Sequence, residues 1–276
     1  MQKINFDEKF ASFSDHWSPK VIAEMNDYQF KLVKVQGEFV WHHHEQEDEL
    51  FLVLHGHLSI HLRDRIVELD EGEPIPPLEG FDAMWVMGGP MDVWDVDEHP
   101  WLLEEKAAIR RWVVDLGRPF LGLCLGHQLL ADALGGRCGH QQPPEIGVLE
   151  VALTPEGLKD PIFTGMPTVQ RVLQWHSVKV VEPPAGAVVL AASDLCPIQA
   201  MRFGRHAWSM QYHVEVEADT VPTWGTVPEY REALELTLGP TALAGLAAEA
   251  ERYMDDFVAN SKRLYDNFVN AVRQTT

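Results

Sequence analysis

Cys124 stands between two glycines in Gly122-Leu123-Cys124-Leu125-Gly126, at the end of an apolar run. A thiol in that setting has the makings of a covalent nucleophile. Pro119-Phe120-Leu121-Gly122-Leu123 reads as a short buried strand, and His127 to Leu134 as a helix closed by Gly135-Gly136. At a strand-to-helix turn the side chain projects from the sheet, and the glycines are expected to permit the strained bend. The next backbone N–H and the helix N-terminus then face any oxyanion that forms. Cysteine suits the place because a helix N-terminus favours the thiolate. A buried cysteine in a glycine-flanked turn carries the same pattern, so spacing alone leaves both readings open.

A nucleophile needs a base. Gln211-Tyr212-His213-Val214-Glu215 follows His206-Ala207-Trp208-Ser209-Met210, an alternating stretch that reads as a strand. A histidine at a strand end, with an acid two residues on, supplies a base and a group able to orient it. Alone, the pair reads more often as surface residues at a strand terminus.

The elements that would position these groups read as α/β from Phe81 onward. Asp82 to Met87 is a strand leading into Gly88-Gly89-Pro90, and Trp101 to Leu116 is an amphipathic helix. Apolar runs at 148–153, 172–175, 178–181, 188–192 and 198–203 read as strands between Pro- and Gly-marked turns. Val227 to Leu238 and Thr241 to Val272 read as helices separated by Gly239-Pro240. In the longer one, Leu243, Leu246, Ala250, Met254, Phe257, Leu264, Tyr265 and Phe268 form a stripe expected to meet the core or a partner.

From about residue 67 to the end, the chain resembles the class I (triad-type) glutamine amidotransferases, of the kind found in GMP synthase and its stand-alone relatives. The matching pieces are Met87-Gly88-Gly89-Pro90-Met91, Gly122 to Gln128, Pro144-Glu145-Ile146-Gly147 and Gln211 to Glu215, in family order and spacing. Val214 stands where the family usually has proline. The resemblance implies a mostly parallel sheet flanked by helices. It also implies a thiol amidase in which Cys124 attacks the glutamine carboxamide to form a γ-glutamyl thioester and release ammonia. His213 would carry the proton, Glu215 would hold the imidazole, and the N–H groups of Gly89 and Leu125 would form the oxyanion hole. Gln128, with the backbone near Ser177 and Val178, would bind the substrate's amino-acid end. Trp175 and His176 carry over least securely, being equally explained as core residues.

The first 66 residues read differently, and the amidotransferase pattern lacks, or has replaced, its first βα unit. His42-x-His44-x4-Glu49-x6-Gly56 resembles the first metal motif of the cupins, small β-barrel proteins. Two histidines at i and i+2 on a strand share a face, and Glu49 returning on a neighbouring strand would complete three ligands for Fe, Mn, Ni or Zn. A charged, metal-free hairpin fits equally well. The second cupin motif never arrives, since no histidine lies between Gly72 and Pro90. The chain therefore reads as a partial cupin-like β segment, 1–66, fused to an amidotransferase-like domain, 67–276, as a natural fusion or a chimera. Leu58, Ile60 and Leu62 alternate with polar residues, which favours strand over a crossover helix there. An unpaired sheet edge left by the missing unit makes a homodimer an expected arrangement.

Composition narrows the partners. A formal charge of −20 argues against a nucleic-acid or anionic-membrane surface. The N-terminus shows no signal pattern and no run approaches a membrane span, which makes the cytoplasm the expected location. Three cysteines, Cys124, Cys138 and Cys196, suit reduced thiols rather than a disulfide framework. No phosphate-binding glycine-rich loop of a synthetase is seen, so an ammonia acceptor is expected to be a separate enzyme. Amide hydrolysis itself calls for no cofactor. Three functions stay open: glutamine hydrolysis, hydrolysis of a γ-glutamyl amide or peptide, and a non-catalytic binding or sensing role.

Overall fold

The structure, a computed structural model, describes residues 9, 12–25, 28–36, 57–61, 66–70, 75 and 77–274. The chain divides into two compact units, Met1–Glu73 and Pro74–Thr276. In the first unit, β1 (Lys20–Met25) pairs antiparallel with β2 (Tyr28–Leu32), and β3 (His57–His61) with β4 (Ile66–Asp70). The alternation around Leu58 and Ile60 thus gives a strand. β4, which the sequence pattern assigns to the second domain, pairs with β3 in the first unit. His42, His44 and Glu49 lie outside the described residues.

The second unit is α/β. Its elements are β5 (Met84–Val86), α1 (Trp101–Arg110), β6 (Phe120–Leu123), α2 (Leu125–Ala133), β7 (Arg137–Leu153), β8 (Val169–Glu182), β9 (Val188–Ala192), β10 (Ala200–Phe203) and β11 (Ala207–Met210). Four helices follow: α3 (Thr220–Trp224), α4 (Pro228–Leu238), α5 (Ala242–Arg252) and α6 (Met254–Arg273). The seven strands lie in the order β5-β6-β11-β10-β9-β7-β8. Only β5–β6 and β6–β11 are parallel; β11–β10, β10–β9, β9–β7 and β7–β8 are antiparallel. The sheet is therefore mixed, which corrects the expectation of a mostly parallel one. From β8 to β11 the strands are joined by short connections, such as the turn at Gly204 (φ +59°), and short connections reverse the chain.

Period-two burial sets up two cores, one on each face. Phe120 packs on one face with Trp112, Leu129, Leu130 and Met201, while Leu121 and Leu123 pack on the other with Trp208, Met210, Leu264 and Phe268. All four residues of β6 are buried, as befits a strand covered on both sides. A third core joins β7 and β8 to α3, α4, α5 and α6 through Ile146, Trp175, Val221, Leu234, Leu246 and Phe257. The helix expected over 241–272 is two helices broken at Tyr253, yet its buried positions, Leu246, Ala250, Phe257, Leu264 and Phe268, are the ones the stripe named.

One buried carboxylate ties the second core together. Asp160 accepts hydrogen bonds from Trp208 Nε1 (2.9 Å), Arg202 Nε (2.6 Å) and the Ile162 amide (3.2 Å). Asp160→Ala would strand the indole N–H and the half-covered guanidinium. The expected cost is about 2–3 kcal/mol, the low end for a broken buried pair because Arg202 keeps some solvent access. Urea unfolding measures it, and a change below ~0.5 kcal/mol would contradict this account.

Candidate active site

β6 ends in Cys124, whose φ of 50° and ψ of −102° place a non-glycine residue in strained backbone. The strain sits on the cysteine itself. The flanking glycines serve close approach instead: a Cβ on Gly122 would lie 2.5 Å from the Gly126 carbonyl oxygen, and one on Gly126 only 2.3 Å from that of Val86. Any side chain there would push α2 off β5 and β6. The Cys124 amide donates to Met210 O on β11 (2.8 Å), and its carbonyl accepts from the amides of His127 and Gln128. The bend is thus pinned to both neighbouring elements.

β11 delivers the second group. Beyond its end, the His213 amide donates to Leu173 O on β8 (2.9 Å). The ring's Nδ1 lies 2.6 Å from Glu215 Oε1. An ionised carboxylate only accepts, so Nδ1 carries the proton and the other ring nitrogen is left for the thiol. The imidazole lies close enough to the Cys124 side chain for their charges to act on each other. Gly88 sits against both, where a Cβ would come within 3.2 Å of the His213 ring and 3.4 Å of Cys124 Cβ. The other oxygen of Glu215 accepts from the Val214 amide (2.9 Å), a bond that the proline usual at this position could not donate.

The electrostatics follow from this packing. Burial alone would push His213 down, but the charges of Glu215 and of the Cys124 sulfur outweigh it and carry it up to about 10. Burial would likewise raise Glu215, yet the imidazolium beside it holds it below the usual carboxylate range. His127, fully buried with Nδ1 2.8 Å from Ser209 Oγ, is pushed down to about 3 by burial and stays neutral.

Cys124 opens on a cleft with about 470 Å³ of empty space, open solvent at its mouth included. Gly89, Leu125, Gln128, Ser177 and Val178 all line it, so the residues anticipated for the oxyanion hole and the substrate meet around the one thiol. His213 and Glu215 stand behind the sulfur. Gln128 Nε2 donates to Val178 O (3.2 Å) and lies 3.3 Å from Gln211 Oε1, which locks α2 to β8. Trp175 and His176 also line the cavity. His176 Nδ1 donates to Val178 O (2.9 Å), and its Nε2 lies 3.1 Å from Glu145 Oε2 as an ion-pair contact rather than an aligned hydrogen bond. Glu145, from the Pro144-Glu145-Ile146-Gly147 motif, also accepts from Ser193 (2.6 Å) and Gln199 (2.9 Å). That motif therefore supports the far wall of the cavity from beneath.

Sequence reasoning missed Asp92 and the α4 residues Glu229, Tyr230 and Ala233, which complete the lining. It also missed Trp224, whose ring centroid is 4.4 Å from that of His213. No local signal marks these residues, since a helix that caps a pocket has the same apolar stripe as one that only packs. Among the described residues no group of His, Cys, Asp and Glu is disposed to hold a metal ion. No described helix is long and apolar enough to cross a membrane.

Residues 34–221 match the family model of glutamine amidotransferase class-I. The chain belongs to that family, a family of enzymes. The match begins inside the segment whose histidines resemble a cupin motif, well before residue 67 where the amidotransferase motifs start. Among class I amidotransferases, the chain is 37% identical over 162 residues to the glutamine-hydrolyzing GMP synthase of Aeropyrum pernix, covering 55% of this chain and 30% of that one. It is 34% identical over 146 residues to a glutamine-hydrolyzing GMP synthase subunit of Saccharolobus solfataricus, covering 52% of this chain and 73% of that one. A glutamine amidotransferase crystal structure from Thermotoga maritima, 28% identical, covers 72% of this chain and 83% of its own at a TM-score of 0.63. A cupin-2 protein from Shewanella frigidimarina is 63% identical over 25% of the chain, at a TM-score of 0.25 that carries no likeness of fold.

Proposed function

We propose that this chain hydrolyses the side-chain amide of glutamine, with Cys124 as nucleophile, His213 as proton carrier and Glu215 as the group that orients it. The observation that carries this reading is the Cys124 thiol on the cavity wall with the Glu215-held imidazole beside it. Sγ adds to the carboxamide carbon, and the oxygen takes the negative charge facing the backbone of Gly89 and Leu125. Collapse of the adduct expels the amine, which takes the proton from His213 and leaves as ammonia. Water, deprotonated by His213, then adds to the γ-glutamyl thioester, and glutamate and the thiol are released. No cofactor enters these steps. His42, His44 and Glu49 remain a candidate for a divalent transition-metal site by spacing alone, with no part in this chemistry.

The ammonia goes to water or to a separate acceptor protein, by analogy with the Saccharolobus solfataricus relative, which is named as one subunit of a GMP synthase. Ammonia release from free glutamine by the purified chain is the test. Modification of Cys124 by a glutamine-like diazoketone, located by peptide mass, reports on the thiol independently. An inert Cys124 and no ammonia would favour a non-catalytic binding protein and overturn the reading.

The Glu215 partnership predicts a pH effect. Its charge raises His213, whereas burial opposes that rise. Glu215→Gln removes the raising influence and leaves burial in place, so the imidazolium is lost at lower pH. The alkaline decline of kcat/KM for glutamine, expected near pH 10 in the parent, should move acidward in the variant. A pH–rate profile measures it, and an unmoved alkaline limb would refute the link.

A further inference from the structure

Three aromatic rings pack together beside His213, and two of them, Trp175 and Tyr230, line the cavity. Trp224, at the end of α3, meets the His213 ring edge-on at 4.4 Å between centroids. Tyr230, in the first turns of α4, lies 5.7 Å from Trp224 and 5.9 Å from Trp175, and its own carbonyl is held by Trp175 Nε1 at 3.1 Å. At these spacings the rings are in van der Waals contact and leave no slot between them. The arrangement is braced from behind. Leu234 of α4 is fully buried, and Gly225 admits Leu243 of α5 so closely that a Cβ there would lie 2.5 Å from its Cδ1. Burial, together with the charges of Cys124, Glu215 and Glu229, pushes the Tyr230 phenol up, so it stays neutral beside the nucleophile.

Their place relative to the chemistry gives these rings a meaning. In the reaction proposed above, the leaving amine accepts its proton from His213 and so departs within hydrogen-bond reach of that imidazole. Any substituent on the amide nitrogen must extend from the same point, toward the rings packed around His213. Gln128, Ser177 and Val178, elsewhere in the lining, are left for the amino-acid end of the substrate. Trp224 and Tyr230 both lie beyond residue 221, where the family match ends.

We propose that Tyr230, on the cavity wall and backed by Trp224, forms a specificity cap that closes the leaving-amine side of the pocket and restricts the site to primary carboxamides, excluding γ-glutamyl amides substituted on nitrogen. The inference rests on the amidase reading and deepens it by naming the substrate class. Trp224 and Tyr230 act here as specificity residues; neither handles a proton. An added methylene against a tight apolar wall is worth about 10–200-fold in kcat/KM, which sets the size of the effect.

The test compares kcat/KM for glutamine, read as ammonia, with that for γ-glutamylethylamide, read as ethylamine, in the parent, Trp224→Ala, Tyr230→Ala and Tyr230→Phe. The parent should prefer glutamine strongly. Either alanine variant should shift the ratio toward the ethylamide by about 10-fold or more, while Tyr230→Phe, which keeps the ring, should hold the parental preference. Tyr230→Leu serves the same purpose as the alanine variant if the smaller side chain unseats α4. A parent that cleaves both amides comparably overturns the cap, as do opened variants that cleave glutamine with an unchanged ratio. A parent that releases neither amine and leaves Cys124 unlabelled overturns the amidase reading beneath it.

Discussion

Cys124→Ala is expected to lower ammonia release from glutamine by about four to six decades, down to the background left by binding and the oxyanion site. The fold should survive. Alanine meets the same constraint as cysteine at φ 50°, and the lost sulfur makes only a 3.8 Å contact with Gln211 Nε2. The urea midpoint should therefore stay within about 1 kcal/mol of the parent's. Labelling by the diazoketone should vanish with activity, because the other two thiols are poor nucleophiles. Burial, with Asp132 nearby, pushes Cys138 up to about 12, and burial does the same to Cys196 beside Glu145. A folded variant that still releases ammonia at the parental rate would remove the nucleophile from the account and the thioester with it.

What could be read along the chain was what is local along the chain. The bend at Cys124 lies within one strand and one helix, and the His213–Glu215 pair spans three residues, so both were visible as patterns. The reason for Gly126 was not. It lies in Val86, on a strand some forty residues upstream whose carbonyl leaves no room for a Cβ on Gly126. Strand direction was equally hidden. An apolar run states that a strand is buried, but β7 and β8 are long enough to pair over most of their length, and pairing decides that the sheet is mixed. Val178 illustrates the same limit from the site's side. Its strand pattern says only that it is buried, and the resemblance brings its backbone to the substrate; neither tells that its carbonyl collects hydrogen bonds from both Gln128 and His176 at the cavity wall. The α4 cap was legible as a helix and illegible as a pocket wall, because its stripe points to the third core and gives no sign of which neighbour its first turn will face.

His213→Ala should depress kcat by about 10²–10⁴ while leaving KM for glutamine nearly unchanged, since the imidazole stands behind the sulfur and is absent from the cavity lining. Removing the ring also leaves the Glu215 carboxylate without its cationic partner and uncovers one edge of Trp224. Some loss of stability, about 2–3 kcal/mol, is expected with it, less than for a fully enclosed pair because Glu215 keeps partial solvent access. His213→Gln guards against confusing the two effects, for it can still donate to Glu215 but cannot act as a base. The decisive difference lies in the pH profile. Glu215→Gln moves the alkaline decline to lower pH, because the imidazole remains and only its charge support is lost. Either His213 substitution should abolish that decline altogether, since no imidazolium is left to lose its proton. A folded His213 variant that retained both the parental kcat and the parental alkaline limb would show that another group carries the proton, and the pairing of Cys124 with His213 would then be structural.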